Sequence, residues 1–285
     1  MEPTDWLTTE GPFKRYLLSC GRSANTARTY ASGVKMFWRW CAKYEMTPFE
    51  ATRAELRDWT AERHASVSGT RLHNDLAGLR CFYAWLRETG YRDDNPTEGV
   101  KIKRGKRLPT KPLSMEELDA LMQAASCERD RLLILVLAHT GLRVSELASL
   151  TSEDIDWASG VIIITGKGDK QRKLAPQIEV INRLHAFCGM FPSGPVWMSK
   201  WDRPLAEHQI RKLIYAVAAK AHVENVHPHR FRAFFATTYI EQFADIQALQ
   251  GVMGHESIET TSKYSEWTRE ARGLKQMRAL KILAS

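Results

Sequence analysis

The sequence predicts a mainly α-helical protein with a small β-sheet, the α+β part lying in its second half. Apolar and aromatic residues recur at the spacing of a helix face through most of the chain. One β-branched run, Val161-Ile162-Ile163-Ile164, interrupts this pattern. A basic stretch flanked by prolines divides the 285 residues into two parts. We therefore expect two domains, of which the first is all-helical and the second carries the sheet.

Residues 1–103 are predicted to form the all-helical domain. The first long helix has aromatic residues at helical spacing, and Ser23 or Asn25 is expected to cap its start. The last helix carries a stripe of leucines and aromatic residues that ends near Gly90. We interpret these stripes as core packing and not as cofactor contacts. The expected helices are Asn25–Tyr44, Arg53–Val67 and Gly69–Thr89.

Residues 104–112 are predicted to form a basic linker. Six basic residues and no acidic one lie between Lys101 and Lys111, and prolines stand on both sides. Such a run is either a solvated connector or a cationic strap that contacts DNA phosphates, and composition alone favours neither. The candidate DNA-binding residues of this stretch are Lys101, Lys103, Arg104, Lys106 and Arg107.

Residues 113–285 are predicted to form the α+β domain. Ser114 begins a capping box, after which helices are expected as far as Leu150. The β-branched run then pairs with Arg172-Lys173-Leu174 across a glycine-containing turn. The remaining expected helices are Pro176–Cys188, Ala206–Ala221, His229–Gln242 and Thr268–Leu283.

Composition indicates the binding partner and the cellular compartment of the protein. The formal charge of +8 and the pI near 9.3 favour a polyanionic partner, with nucleic acid the leading candidate. Five scattered cysteines indicate neither a disulfide framework nor a zinc site, which fits a reducing compartment. No signal peptide opens the chain, and the longest apolar run, Leu132 to Ala138, is too short for a bilayer. We therefore expect a cytoplasmic protein.

Two segments of the second domain carry cations suited to a phosphate. Arg143 and Glu146 are three residues apart, so that the carboxylate is able to orient the guanidinium. Taken alone, this pair is more often a surface ion pair. Lys167 lies between glycines at the expected hairpin turn, where a lysine is usually only exposed but is also able to donate a proton to a leaving oxygen.

A third segment places a histidine and an arginine near a helix start. Pro228 opens the expected helix, which puts His229 and Arg232 near its positive N-terminus, a favourable place for an anion. A metal site formed by His227 and His229 is the alternative. It lacks a third ligand at a suitable spacing, and the neighbouring arginines would repel a cation. We therefore expect no metal.

The fourth segment ends in a tyrosine. His255 follows Gly254, and Tyr264 lies nine residues further along the chain. In isolation such a tyrosine would usually be structural. Its interest comes from the basic and histidine residues that precede it in the same domain.

The order of these residues resembles the active-site order of the tyrosine recombinase (phage integrase) family. The motifs that carry the resemblance are Thr-Gly-Leu-Arg-x-x-Glu-Leu, Gly-Lys-Gly before a basic strand, Pro-His-x-x-Arg-x-x-Phe-Ala-Thr, and Gly-His with a tyrosine nine residues later. Ala233 departs from the second histidine that many bacterial members have, and Arg230 and Phe231 also differ from the commonest residues. The first domain resembles the family's helical core-binding domain more weakly.

The resemblance implies a metal- and ATP-independent enzyme without a cofactor. The tyrosine attacks a scissile phosphate and forms a 3′-phosphotyrosyl intermediate with release of a 5′-hydroxyl. The arginines clamp the nonbridging oxygens, the histidines hydrogen-bond the phosphate and assist proton transfer, and the lysine protonates the leaving oxygen. The implied catalytic residues are Arg143, Lys167, His229, Arg232, His255 and Tyr264, with Glu146 orienting Arg143.

The resemblance also implies the partners. Two domains close around one recombination half-site of double-stranded DNA, and four subunits assemble on paired half-sites. The C-terminal helix, residues 268–283, is expected to dock on a neighbouring subunit, although packing on its own domain needs the same apolar stripe. A compact, Xer-like member is favoured because no room precedes the first helices for an arm-binding domain.

Other functions remain open at this stage. A type IB topoisomerase-like enzyme would relax supercoils and not exchange strands, and a catalytically silent DNA-binding accessory protein would have lost the tyrosine or an arginine. Among recombinase roles, the sequence does not separate integration from the resolution of dimers or cointegrates, or from cassette exchange. Nor does it reveal the DNA target.

Overall fold

A computed structural model describes residues 6–102, 110–166, 170–189, 193–255, 258–265 and 273. The chain divides into two compact units, Met1–Leu108 and Pro109–Ser285. The mainly helical fold with one small sheet is confirmed. No helix in the described part of the chain is long and apolar enough to cross a membrane.

Unit 1 consists of four helices in its described part: α1 (Trp6–Ser19), α2 (Ala24–Lys43), α3 (Arg53–Ser66) and α4 (Gly69–Glu88). Of the two cap candidates, Ser23 caps α2, since its side chain accepts from the Thr26 amide. Helix α1 was not expected, because Pro12 lies inside it. Its buried residues nevertheless follow helical spacing: Trp6, Thr9, Phe13 and Leu17.

Helices α2 and α4 cross in backbone contact. A Cβ on Gly33 would lie 2.7 Å from the Cα of Asp75, and one on Gly78 would lie 2.6 Å from the carbonyl oxygen of Tyr30. Only glycine fits at either position. Asp75 is fully buried at this crossing and forms ion pairs with Arg63 and Arg71. An aromatic core surrounds the crossing: Phe13, Phe37, Trp59, Phe82 and Trp85.

Unit 2 begins with three helices and a sheet. The helices are α5 (Met115–Ala124), α6 (Glu128–Thr140) and α7 (Val144–Ala148), and the strands are β1 (Ile155–Asp156), β2 (Val161–Thr165) and β3 (Gln171–Leu174). The capping box at Ser114 is confirmed. The strands are antiparallel in the order β1-β2-β3, and Ile164 pairs with Arg172. Strand β1 was not expected, because two residues give no periodic signal.

The remaining described helices of unit 2 follow the sheet along the chain. They are α8 (Ile178–Cys188), α9 (Glu207–Lys220), α10 (Pro228–Phe243), α11 (Ile246–Met253) and α12 (Ile258–Ser262). Pro228 occupies the first turn of α10, as expected. Helices α11 and α12 are short and were not predicted. Apart from Gly273, the predicted helix over residues 268–283 lies outside the described residues.

Candidate active site

Glu146 connects two arginines at the start of α7. Its carboxylate accepts from Arg143 Nη1 at 2.8 Å and from the Arg143 amide at 2.7 Å. It also accepts two bonds from Arg172, at 3.0 and 2.7 Å. Burial opposes ionisation of Glu146, but the hydrogen bonds from both arginines prevail and lower the pKa of its carboxyl. Glu146 is therefore an anion that holds Arg143 in place.

Arg143 is the N-cap of α7 and lies outside the helix proper. It follows a turn at Gly141, which has a left-handed φ of 60° and at which a Cβ would lie 2.6 Å from the Phe235 ring. Glycine satisfies both constraints. The Arg143 side chain is 40% exposed, whereas that of its partner Glu146 is 11% exposed. The guanidinium is thus fixed on one side and accessible to an anion on the other.

Arg232, on α10, is buried among backbone carbonyls. Its guanidinium donates to the carbonyl oxygen of Gly141 and, at 2.6 Å, to that of Met253. Only 3% of the residue is exposed. Burial and the neighbouring Arg143 lower the pKa of Arg232 to about 10, so it remains a cation at neutral pH. These bonds join α10 to the turn before α7 and to the last residue of α11.

His255 lies between Arg232 and helix α12. Its Nε2 is 2.8 Å from Arg232 Nη2, and its Nδ1 is 2.8 Å from the hydroxyl oxygen of Thr261. Burial, followed by the charges of Arg232 and Arg143, lowers the pKa of His255 to about 4. The imidazole is therefore neutral at physiological pH.

Tyr264 stacks on the same histidine. The rings of His255 and Tyr264 are 6.2 Å apart between centroids and 14° from parallel. The tyrosine packs against a small apolar cluster formed by α10 and α11, and its amide donates to the carbonyl of Thr261 at 3.1 Å. The structure thus brings Arg143, Arg232, His255 and Tyr264 together.

His229 borders the same region. It is exposed at the start of α10 and, with Arg143 and Arg211, lines a cavity of about 110 Å³. The ring of His227 lies 6.3 Å from that of His229. Within the described residues, no group of three or more His, Cys, Asp or Glu side chains is arranged to hold a metal ion.

Several predicted residues fall outside the described chain. Lys167 does, so its position relative to this site is not given by the structure. The same holds for four of the linker residues: Lys103, Arg104, Lys106 and Arg107. Lys101 is described and is exposed.

Comparison with known proteins identifies the family. The model described as "Phage integrase family" matches residues 111–270, more than half of the chain. A second model, "Phage integrase, N-terminal SAM-like domain", matches residues 12–90. The chain belongs to the phage integrase family. It is therefore a site-specific tyrosine recombinase, and the resemblance found in its motifs is confirmed.

Curated relatives align with this recombinase over most of its length. Tyrosine recombinase XerC of Chromobacterium violaceum is 29% identical over 264 residues, which cover 89% of this chain and 88% of the relative. Tyrosine recombinase XerC of Mycobacterium bovis strain BCG is 30% identical over 275 residues, covering 89% and 92% respectively. These relatives confirm a Xer-like member.

Solved structures share the fold of the recombinase. XerH site-specific recombinase, bound to a palindromic difH substrate in a post-cleavage complex, has a TM-score of 0.74 at 19% identity, covering 97% of this chain and 84% of that one. A lambda integrase dimer bound to a COC′ core site has a TM-score of 0.73 at 17% identity, covering 91% and 75%. The fold is thus that of known recombinases.

Two residues of this site were missed by sequence reasoning. Arg172 was predicted only as part of a basic strand, yet it binds Glu146 and also donates from Nε to the carbonyl of Val252 at 2.9 Å. Thr261 was read only as part of the segment leading to Tyr264. It is fully buried against His255. The basic residue in β3 was the available signal for Arg172, whereas nothing in one sequence distinguishes Thr261 from its neighbour Thr260.

Proposed function

We propose that this recombinase cuts and rejoins double-stranded DNA through a 3′-phosphotyrosyl bond to Tyr264. The observation that carries the proposal is the convergence of two arginines, a neutral histidine and this tyrosine in unit 2. Attack on a phosphodiester concentrates negative charge on the nonbridging oxygens, which fixed guanidinium groups stabilise. The tyrosine then holds the DNA end until a 5′-hydroxyl reverses the step.

Each remaining group has a proposed role in that cycle. Arg143 and Arg232 clamp the nonbridging oxygens of the scissile phosphate, and Glu146 keeps Arg143 oriented. His255 hydrogen-bonds the phosphate. His229, beside Arg143, helps to remove the proton of the tyrosine. Lys167 protonates the departing 5′ oxygen, a role that rests on the motif alone.

We further propose how the recombinase engages its substrate. Unit 1 and the basic residues from Lys101 to Arg107 bind the DNA flanking the scissile phosphate, in keeping with the formal charge of +8. Four subunits assemble on paired half-sites, with residues 268–283 docking on a neighbour. Structural relatives bound to difH and COC′ DNA support the choice of duplex DNA as partner. The biological role is integration or the resolution of dimers or cointegrates.

The decisive experiment is capture of the covalent intermediate. The wild-type protein is incubated with fragments of its source genome and denatured, and DNA attached to protein is sequenced to identify the site. A duplex with a nick beside the cleavage position then traps the adduct, because the short released strand diffuses away. We expect Tyr264→Phe to bind this duplex as the wild type does but to give no adduct, because the nucleophilic oxygen is absent.

Tyr239→Phe is the matched control for this experiment. Tyr239 is half-buried on α10 and packs between Phe235 and Phe243. The control protein should form the adduct at the wild-type rate. An adduct that persists in the Tyr264→Phe protein would show that another residue is the nucleophile.

A further inference from the structure

The hydrogen bonds around His255 define which ring nitrogen carries the proton. A guanidinium has donors and no acceptor, so at 2.8 Å from Arg232 Nη2 the Nε2 atom must accept. The imidazole is neutral, and its one proton is therefore on Nδ1. That nitrogen donates to the Thr261 hydroxyl oxygen at 2.8 Å. The enzyme without DNA thus holds His255 in the Nδ1-protonated tautomer.

This tautomer is unsuited to the role proposed for His255 with DNA bound. Hydrogen-bonding a phosphate oxygen requires a hydrogen on Nε2, the nitrogen that faces Arg232. The same bond also occupies Arg232, whose Nη2 donates to both Met253 and His255. In the free enzyme the His255 imidazole and the Arg232 guanidinium hydrogen-bond each other, and neither presents all of its donors to a substrate.

We propose that Thr261 is a positioning residue whose hydroxyl allows His255 to change tautomer when the scissile phosphate binds. The proton on Nδ1 leaves to solvent and another from solvent joins Nε2, so the net protonation of the ring is unchanged. A hydroxyl both donates and accepts, so Thr261 reverses its bond and donates to the bare Nδ1. This inference rests on the proposed function of the site.

The exchange changes two phosphate contacts together. Once Nε2 carries a hydrogen it no longer accepts from Arg232, and both groups are then able to donate to the phosphate. The remaining charged groups around the ring, Arg143, Arg172 and Glu146, are held by the network at the start of α7. Thr261 is fully buried, so its hydroxyl is held close to Nδ1 in either tautomer.

The kinetic test compares Thr261→Val with Thr261→Ser on the nicked duplex. Valine has nearly the same shape as threonine but no hydroxyl, so the buried Nδ1 loses its partner in both tautomers. We expect single-turnover cleavage to slow by at least about tenfold while DNA affinity is retained. Serine restores the hydroxyl and should bring the rate to within about threefold of wild type.

Thr237→Val is the matched control. Thr237 is a buried threonine of α10 whose hydroxyl donates to the carbonyls of Ala233 and Phe234 in its own helix. Its replacement should leave the cleavage rate close to wild type. If Thr261→Val cleaves as fast as this control, the inference is wrong, whereas failure of the wild type itself to form an adduct would overturn the proposed function instead.

The second measurement reads the tautomer directly and does not depend on how any Thr261 variant folds. Nitrogen NMR of histidine-labelled protein distinguishes a protonated ring nitrogen from a bare one, and His255→Gln assigns the signals. The free protein should show a hydrogen on Nδ1 and a bare Nε2. With Tyr264→Phe bound to the intact duplex, this pattern should reverse. An unchanged pattern, or two protonated nitrogens, would overturn the inference.

Discussion

At the scale of single residues, the site depends on side chains that do not touch the proposed substrate. Glu146 accepts four hydrogen bonds, of which two come from Arg172 and two from Arg143. Arg172 also holds the carbonyl of Val252, close to the turn that carries His255. It therefore links strand β3, helix α7 and the end of α11. Arg172 acts through Glu146 on the orientation of Arg143.

We predict that Arg172→Gln lowers the cleavage rate by about 100-fold, a loss similar to that of one transition-state donor. Lysine should restore only part of this loss, because it lacks the planar fork that binds a carboxylate with two bonds. The diagnostic substrate is a methylphosphonate at the cleavage position, which removes the charge that Arg143 neutralises. On that substrate the deficit of the Arg172→Gln protein should shrink.

Arg183→Gln provides the comparison, since Arg183 pairs with Glu128 on the exposed surface of unit 2. It should cleave both substrates as the wild type does. An equal deficit of the Arg172→Gln protein on phosphate and methylphosphonate would mean that Arg172 only stabilises the fold.

At the scale of elements, helix α10 is tied to the first described residues of unit 2. Arg230 donates to the carbonyls of Lys111 and Pro112 and to the carboxylate of Glu117, which also caps α5. A fourth bond reaches the carbonyl of Glu224. The motif resemblance indicated that Arg230 departs from the commonest residue of the family at this position. This departure thus has a structural explanation, which concerns the packing of segments around the start of α10.

We predict that Arg230→Ala destabilises the protein by about 3 kcal/mol, because it removes a buried guanidinium that donates to three carbonyls and a carboxylate. Urea denaturation of the full chain, followed by circular dichroism, measures the change. Arg183→Ala removes an exposed ion pair of the same unit and should cost less than about 1 kcal/mol. Equal losses in the two proteins would contradict a specific role for Arg230.

Local signals explain which elements could be predicted. Helices α2 and α4 have long apolar stripes and serine caps, and both were predicted to within a residue or two. Helix α1 was missed because Gly11 and Pro12 resemble a break, although packing of its apolar face overrides their low propensity. Helices α11 and α12 are too short to show a clear period.

The residues of the candidate site likewise fall into those that the sequence could predict and those that only the structure revealed. The residues assigned from motifs, such as Arg143 and Tyr264, were available to sequence reasoning because their order along the chain carries the signal. Arg172 and Thr261 act through contacts that a linear sequence does not express. The bond from Arg172 to Glu146 spans 26 residues, and that from Thr261 depends on how a short helix packs against His255.

At the scale of the whole molecule, the two units have separate hydrophobic cores. The chain carries a formal charge of +8, which suits a large anionic partner. The proposed chemistry draws its positive charge from arginines and conserves the energy of the broken phosphodiester in the tyrosine ester. The proposed reaction therefore needs no external energy source.

We predict that strand exchange between two duplexes carrying the captured site proceeds in EDTA and without ATP. The arginine clamp performs the charge stabilisation that metal ions provide in many other phosphoryl-transfer enzymes. Recombinant products are counted on a gel, with magnesium-containing buffer as the reference. The rate should change by less than about threefold, a difference that ion effects on DNA binding alone produce. Activity that appears only with a divalent cation would contradict the mechanism.

The contact between helices α2 and α4 has a consequence for engineering a recombinase with new targets. Gly33 and Gly78 leave no space for even one additional carbon, so a randomised library that includes them would consist mostly of misfolded clones. The randomised positions are better chosen on the outward faces of the same helices, where side chains project into solvent. The two glycines at the crossing are then kept unchanged, and only the outward-facing positions are varied to alter the binding preference.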